Sequence, residues 1–155
     1  MEKLLAVEPR KCTNCRMCEM ACTMAKTGEF NPARSRIRVN AYPEEFAYVP
    51  LACFQCSDAP CVRVCPSGAL AEKPGLVMHD PDKCIGCRMC MLACPFGVIS
   101  FDVSRGIITK CDTCGGDPEC VRFCAPGALA YKESELTQLA RGREFARKIV
   151  DAMKG

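Results

Sequence analysis

The sequence predicts an α+β protein that folds around bound metal rather than around a large apolar core, with a helix at its C-terminus. Cysteine accounts for 16 of the 155 residues and falls into four groups of four. Eleven glycines and eleven prolines interrupt nearly every window in which a long helix or strand could form. Regular structure between the groups is therefore expected to be brief.

Three short strand regions are predicted between the cysteine groups. Residues 36–40 (RIRVN) alternate between polar and apolar side chains, as a half-buried strand does. Residues 76–78 follow a Pro-Gly turn and are expected to form one arm of a hairpin. A second hairpin is predicted from residues 99–103 and 106–109, with Ser-Arg between its arms.

Helices are expected around the last cysteines of the groups and at the C-terminus. Residues 17–26 and 89–94 should each make one or two helical turns. Residues 132–155 contain no cysteine, and Ser134 can cap a helix there. This helix either covers its own domain or docks on a partner subunit. Its apolar positions recur at roughly helical spacing: Leu136, Leu139, Ala146, Ile149, Val150 and Met153.

The cysteine groups form an internal A-B-A-B repeat, which indicates a duplicated unit. Groups one and three share the pattern K-C-x-x-C-R-M-C-x-x-A-C. Groups two and four have a wider gap before the third cysteine, and each ends in C-V-R-x-C before a Pro- and Gly-containing turn. In chain order the groups are Cys12, Cys15, Cys18 and Cys22; Cys53, Cys56, Cys61 and Cys65; Cys84, Cys87, Cys90 and Cys94; and Cys111, Cys114, Cys120 and Cys124.

This spacing favours [4Fe–4S] clusters over zinc or disulfides. The run C-x2-C-x2-C-x3-C-P is typical of bacterial two-cluster sites, in which the fourth cysteine binds the other cluster. Group three matches that run completely, whereas group one has Thr23 in place of the proline. All-cysteine zinc sites usually combine two separated C-x2-C pairs, and the single histidine, His79, argues against mixed Cys/His sites.

Location and charge narrow the expected partners. The N-terminus has only a four-residue apolar run, too short for a signal peptide, so we expect a cytoplasmic protein without direct membrane insertion. Thiols in a reducing compartment hold metal or do redox chemistry. The formal charge of +3 becomes about −5 if four clusters each add about −2. Basic and aromatic residues do not cluster as in nucleic-acid-binding proteins, so we expect no nucleic-acid partner.

Beyond its cysteines, the sequence resembles a known family across about residues 3–131. The resemblance rests on the four groups, on F-N-P-A-R-S-R-I-R-V at 30–39 and on C-x-x-C-x-D-A-P-C at 53–61. The family comprises four-cluster, ferredoxin-like electron-transfer subunits of molybdenum and tungsten oxidoreductases and related complexes. In its short length and lack of insertions, the chain most resembles the small subunit of tungsten-dependent aldehyde oxidoreductase. Iron–sulfur subunits of benzoyl-CoA reductase and formate dehydrogenase are near alternatives.

The resemblance implies two interlocked bacterial-ferredoxin-like halves, a polyferredoxin, with the inner half (about 50–100) inserted in the outer half of a domain spanning 1–131. It also implies four [4Fe–4S] clusters with exchanged ligands. The inner clusters would be held by Cys53, Cys56, Cys61 and Cys94 and by Cys84, Cys87, Cys90 and Cys65. The outer clusters would be held by Cys12, Cys15, Cys18 and Cys124 and by Cys111, Cys114, Cys120 and Cys22.

The predicted function is electron relay between a catalytic subunit, carrying a tungsten or molybdenum pterin, and a second redox protein or flavoprotein. No nucleophile–base set, dinucleotide fingerprint or phosphate loop is present, so the chain is not expected to be an enzyme on its own. The alternatives are a free soluble polyferredoxin, a subunit of a hydrogenase, CO dehydrogenase, formate dehydrogenase or benzoyl-CoA reductase complex, and a structural or oxygen-sensing module.

Three lysines, Lys11, Lys83 and Lys110, each precede the first cysteine of a group. A cation beside a cluster favours the reduced, more negative form and should raise its potential. The same lysines could equally be solvated surface charges. The sequence leaves both interpretations open.

Overall fold

The computed structural model describes residues 3–133 of the chain. Over these residues, four short helices and eight short strands alternate, and the strands pair as four antiparallel two-stranded sheets. The strands are β1 (Lys3–Val7), β2 (Arg38–Tyr42), β3 (Ala47–Leu51), β4 (Leu70–Lys73), β5 (Leu76–His79), β6 (Ser100–Asp102), β7 (Ile107–Thr109) and β8 (Leu129–Glu133). The helices are α1 (Met17–Thr27), α2 (Pro60–Arg63), α3 (Met89–Ala93) and α4 (Glu119–Arg122). The predicted α+β class is confirmed.

Both predicted hairpins form. Strand β4 pairs with β5, and β6 pairs with β7, with Phe101 opposite Ile108. The strand expected at 36–40 begins two residues later, at Arg38. The Ser35 hydroxyl donates to the Ile37 carbonyl oxygen at 2.6 Å and accepts from the Ile37 N–H at 3.3 Å. This side-chain bonding occupies the backbone groups that would extend the strand.

Two strand pairings were not predicted. Strand β3 contains Pro50, which pairs in register with Val39 of β2. Proline is disfavoured within sheets, and a two-stranded ribbon tolerates it because each strand has a free edge. Strands β1 and β8 pair near the two ends of the described chain, with Leu5 opposite Tyr131. Such long-range pairing leaves no local sequence pattern.

Helices α1 and α3 occupy the predicted positions but differ in length. Helix α3 stops at Ala93, one residue before Cys94-Pro95, because the residue preceding a proline is disfavoured in the helical region. Helix α1 runs for 11 residues, longer than expected, because Thr23 replaces that proline. Its end is set by Gly28, whose left-handed backbone (φ 70°) lets its N–H bond the Met24 carbonyl at 3.0 Å.

The interior consists of two small cores, and buried cysteines belong to both. The outer core contains Leu5, Cys18, Cys22, Ile37, Val39, Ala52, Cys120 and Leu129. The inner core contains Ala59, Cys61, Leu70, Val77, Cys90, Ile99 and Ile108. Helix α1 packs against α4 in the outer half, and α2 packs against α3 in the inner half. The inner core includes Ile108, so the β6–β7 hairpin packs with the inner half.

Strand β8 includes residues 132 and 133, where the C-terminal helix was expected to begin. The rest of that predicted helix, 134–155, lies outside the described residues.

Candidate iron–sulfur sites

All sixteen cysteines lie within the described residues, and all are free thiols. Five of them are buried: Cys18, Cys22, Cys61, Cys90 and Cys120. Cys15 and Cys87 are exposed, and the other nine are partly buried. The structure therefore contains no disulfide among residues 3–133.

The loop between the first two cysteines has the same backbone turn in all four groups. The residue before the second cysteine is left-handed each time: Asn14 (φ 58°), Gln55 (φ 51°), Gly86 (φ 69°) and Thr113 (φ 52°). Left-handed residues in a tight loop turn successive backbone N–H groups toward one side, which creates an anion-binding concavity. A cluster ligated by four thiolates carries net negative charge, so this loop geometry suits it.

The third cysteine of each group lies near the start of a short helix, in α1, α2, α3 and α4 respectively. In three groups the fourth cysteine follows that helix and enters a glycine turn, in which the Gly68, Gly97 and Gly127 N–H groups bond the carbonyls of Cys65, Cys94 and Cys124. Because third and fourth cysteines are separated by about one helical turn, the fourth thiol is carried away from its own loop.

The structure brings Cys22 of group one to the cysteines of group four. One cavity of the outer half is lined by Cys22, Cys111, Cys114 and Cys120 together with Leu5 and Ile37. Burial raises the pKa of Cys111 to about 11, the Thr113 N–H opposes that rise, and the Cys22 thiol adds to it. These four cysteines are one of the ligand sets implied by the family resemblance.

An equivalent arrangement occurs in the inner half. Cys94 of group three lines a cavity with Cys53, Cys56 and Cys61 of group two. Burial raises the pKa of Cys56, and the neighbouring Cys53 and Cys94 thiols raise it further. These four cysteines match a second ligand set implied by the family resemblance.

In each of the other two implied ligand sets, three of the four thiols are electrostatic neighbours. Burial raises the pKa of Cys18 to about 12, and Glu19, Cys124 and Cys15 add to the effect. Burial likewise raises the pKa of Cys90 to about 11, with contributions from Cys65 and Cys87. Cys12 packs against the outer core and Cys84 against the inner core.

Cys65 differs from these thiols because its pKa is lowered. Burial opposes the change, but backbone N–H groups of Leu70, Ala69 and Ser67 and the Ser67 hydroxyl donate to its sulfur. The Arg36 N–H bonds Cys22 Sγ at 3.3 Å, and the Thr113 N–H bonds Cys111 Sγ at 3.4 Å. Such donors stabilise thiolates. The donor set and these N–H groups fit [4Fe–4S] ligation.

Within residues 3–133, no three His, Cys, Asp or Glu side chains form a group that could hold a single metal ion. Each thiolate of a [4Fe–4S] cluster binds a different iron, so its four thiolates stand farther apart than the ligands of one ion.

Two residues outside the cysteine pattern connect the halves. Lys110 is only 2% exposed, whereas the Lys83 side chain is 64% exposed and pairs with Asp80. The surface interpretation of Lys110 is therefore wrong. Gln55 was missed entirely, since nothing in its local sequence indicates that its side chain spans from the inner half to the Cys111 carbonyl, 2.8 Å away.

Comparison with known proteins addresses the cofactor directly. The family model for a 4Fe-4S dicluster domain matches residues 44–134, more than half of the chain, and a second 4Fe-4S dicluster model matches residues 11–70. The chain belongs to the 4Fe–4S dicluster family. Two dicluster matches and sixteen cysteines fit four [4Fe–4S] clusters, which confirms the cofactor prediction.

The relatives of this dicluster protein include iron–sulfur subunits of oxidoreductases. It is 43% identical over 123 residues to the aliphatic sulfonate oxidoreductase polyferredoxin-like subunit of Pyrococcus furiosus, covering 77% of this chain and 70% of that protein. It is 36% identical over 146 residues to a subunit of the anaerobic dimethyl sulfoxide reductase of Escherichia coli K12, covering 81% and 70%. The predicted membership among iron–sulfur electron-transfer subunits of oxidoreductases is confirmed.

Among solved structures, a subunit of the active site complex BamBC of benzoyl coenzyme A reductase shares the fold of this dicluster protein. The TM-score is 0.52 at 24% identity, covering 99% of this chain and 97% of that one. This likeness supports the predicted ferredoxin-like fold.

Within residues 3–133, helix α1 is the longest at 11 residues, and none of the helices there has the length and apolarity to cross a membrane.

Proposed function

We propose that this chain relays single electrons through four [4Fe–4S] clusters, between a catalytic oxidoreductase subunit and a second redox partner. The observation that carries this proposal is a direct contact between two cysteine groups: Gln55, in the loop between Cys53 and Cys56, donates its Nε2 hydrogen bond to the Cys111 carbonyl oxygen at 2.8 Å. Electron relay needs closely spaced sites, and this contact supports a series arrangement of the two halves.

The proposed ligand sets are the exchanged ones. Group one would give its fourth cysteine to group four and receive Cys124 in return, while groups two and three exchange Cys65 and Cys94. Two cavities support these sets, because each is lined by all four cysteines of one set. The thiol neighbours of Cys18 and Cys90 support the other two.

The proposed order of sites is linear. Cys18 and Cys120 are neighbours in the outer core, and Cys120 and Cys111 line one cavity. Gln55 joins the Cys53 loop to Cys111, and Cys61 and Cys90 are neighbours in the inner core. These neighbours connect the Cys12 set to the Cys111 set, then to the Cys53 set and finally to the Cys84 set. The exposed thiols Cys15 and Cys87 belong to the two end sets, where electrons would enter and leave.

In this proposal the residues of the chain hold and insulate the clusters. A bound [4Fe–4S] cluster supplies a one-electron carrier. The left-handed loops would direct N–H groups toward it, the thiolates would anchor it, and the two apolar cores would limit access of water. The proposal assigns the catalytic chemistry to a partner subunit and electron transfer to this chain.

A pterin-dependent tungsten or molybdenum subunit is proposed as the catalytic partner, with a redox protein or flavoprotein as the second partner, in the cytoplasm. The names of two relatives, subunits of aliphatic sulfonate oxidoreductase and of dimethyl sulfoxide reductase, support a committed subunit. The structural neighbour from benzoyl coenzyme A reductase keeps that class of complex as a second candidate. A free polyferredoxin is a further alternative.

Anaerobic purification of the native protein tests these proposals. Four clusters predict about 16 iron and about 16 sulfide per chain. Co-elution with a larger subunit containing tungsten or molybdenum would support the committed-subunit proposal, and a monomeric, fully loaded chain would favour the free carrier. Iron near 12 per chain would contradict the four-cluster relay.

A further inference from the structure

Lys110 places an ammonium group in the interior, where the two halves of the molecule meet. Its Nζ donates to the Val77 carbonyl at 2.6 Å, to Gln55 Oε1 at 3.0 Å and to the Cys111 carbonyl at 3.1 Å. An ammonium has three N–H donors, and here three acceptors receive them. The arrangement therefore fits the charged form of the side chain.

All three acceptors are neutral oxygens. Within residues 3–133, no carboxylate forms an ion pair with Lys110, although such pairs fix Lys26, Arg34 and Lys83. Burial of a charge without an opposite charge is costly. Some other negative group should therefore lie close to this ammonium.

The nearest candidates are thiolates of two proposed cluster sites. Lys110 lines the cavity formed by Cys53, Cys56, Cys61 and Cys94. It also precedes Cys111, a proposed ligand in the other half.

Gln55 fixes the ammonium at this junction. It belongs to the Cys53–Cys56 loop and holds a left-handed backbone (φ 51°). Its Oε1 accepts from Lys110 and from the Val77 N–H at 2.9 Å, and its Nε2 donates to the Cys111 carbonyl at 2.8 Å. One side chain thus holds the loop of one half against the first ligand of the other.

We infer that Lys110, held by Gln55, sets the reduction potentials of the two middle clusters, bound by the Cys53 and Cys111 sets, and so governs electron passage between the halves. The inference rests on the proposed four-cluster relay. The step moves one electron from one half to the other, and no bond forms or breaks. A fixed positive charge favours the state with the extra electron and raises the potential of the site that accepts it.

Lys110→Met tests this inference, because methionine keeps much of the length and removes the charge. The matched control is Lys83→Met, at the corresponding position of group three but on the surface. Each holoprotein is titrated potentiometrically under anaerobic conditions, with paramagnetic resonance reporting every cluster, and iron is counted beforehand. Iron analysis of the wild type tests the relay itself, separately from any shift in the variants.

The expected result is full iron content and, for at least one cluster, about a tenfold weaker reduction equilibrium, equal to about 59 mV for one electron. The Lys83→Met potentials should match the wild type. Gln55→Glu provides a second variant, since it keeps an acceptor for Lys110 while adding a negative charge, and it should shift the same cluster in the same direction. Unchanged potentials in a fully loaded Lys110→Met protein would overturn the inference. Iron loss in Lys110→Met would also overturn it if Gln55→Glu left all potentials unchanged or lost its clusters too, because a purely structural role would then suffice.

Discussion

Arg34 of the outer half and Asp102 of the inner half form an ion pair, with 2.9 Å between Nη2 and Oδ2. The Asp102 carboxylate also accepts from the Ser104 hydroxyl and N–H at 2.6 and 3.0 Å. One side chain therefore shapes the β6–β7 turn and attaches it to the outer half. Both partners are mostly shielded, with side chains 26% and 8% exposed.

Asp102→Asn is expected to lower the free energy of unfolding by about 0.5–1 kcal/mol near neutral pH, because the turn keeps an acceptor but the ion pair is lost. Chemical denaturation of the holoprotein measures this. Glu29→Gln is the control, since Glu29 also pairs with Arg34 but is 61% exposed. If both variants lost the same unfolding free energy, the Asp102 ion pair would not contribute more than the exposed Glu29 pair, which would contradict the prediction.

The pH dependence of this contribution has a definite sign. Hydrogen bonds from Ser104 and Arg34 lower the pKa of Asp102 from 3.8 to about 2. A depressed carboxyl pKa stabilises the fold above the unfolded value and loses that effect as the pH falls toward 2. The difference between wild type and Asp102→Asn should therefore shrink below about pH 4.

Glu19 anchors strand β2 to helix α1 from a buried position. It is 4% exposed, and its Oε1 accepts from the Val39 N–H at 2.7 Å. Glu19→Ala leaves that N–H buried without a partner, which should cost about 1–3 kcal/mol. Glu19→Gln retains an acceptor and should cost less. The comparison is made by thermal unfolding, and the assignment fails if the alanine variant is no less stable than the glutamine variant.

Gly86 is required by a close backbone approach as well as by its left-handed conformation. A Cβ at this position would overlap the carbonyl oxygen of Gly106. Gly97 has a similar φ of 62° but open space around the same point. Gly86→Ala should therefore deplete the cluster assigned to the Cys84 set, whereas Gly97→Ala should cost about 1 kcal/mol and keep full iron content. Iron analysis and paramagnetic resonance decide between these outcomes.

Cys94→Ala tests the exchange of ligands in the inner half. The proposed sets assign Cys94 to the cluster of Cys53, Cys56 and Cys61, so the variant should lose the same resonance signal as Cys56→Ala. Cys87→Ala should remove a different signal. A Cys94→Ala spectrum that matches Cys87→Ala would show that each group binds its own cluster.

Local sequence patterns predicted much of this molecule correctly. The hairpins after residue 70 and after residue 99 follow from alternation and turn residues, and the positions of helices α1 and α3 follow from the cysteine spacing. The length of α1 could have been read from Thr23, because proline is what ends α3 at the corresponding position. Strand β3 was hidden by Pro50, which its edge position tolerates.

Sixteen cysteines in four repeated groups were enough to identify the cofactor, because their number and spacing match the ligation of four [4Fe–4S] clusters. Which cysteine groups lie next to each other, and which charged side chains are buried, could be learned only from the folded chain. Lys11, Lys83 and Lys110 occupy equivalent positions beside a first cysteine, yet only Lys110 lies at the contact between the two halves. The pairing of β1 with β8 and the hydrogen bond from Gln55 to Cys111 likewise join segments that are distant in sequence. Spacing along the chain fixes local geometry, whereas burial and long-range contacts arise only when the halves pack together.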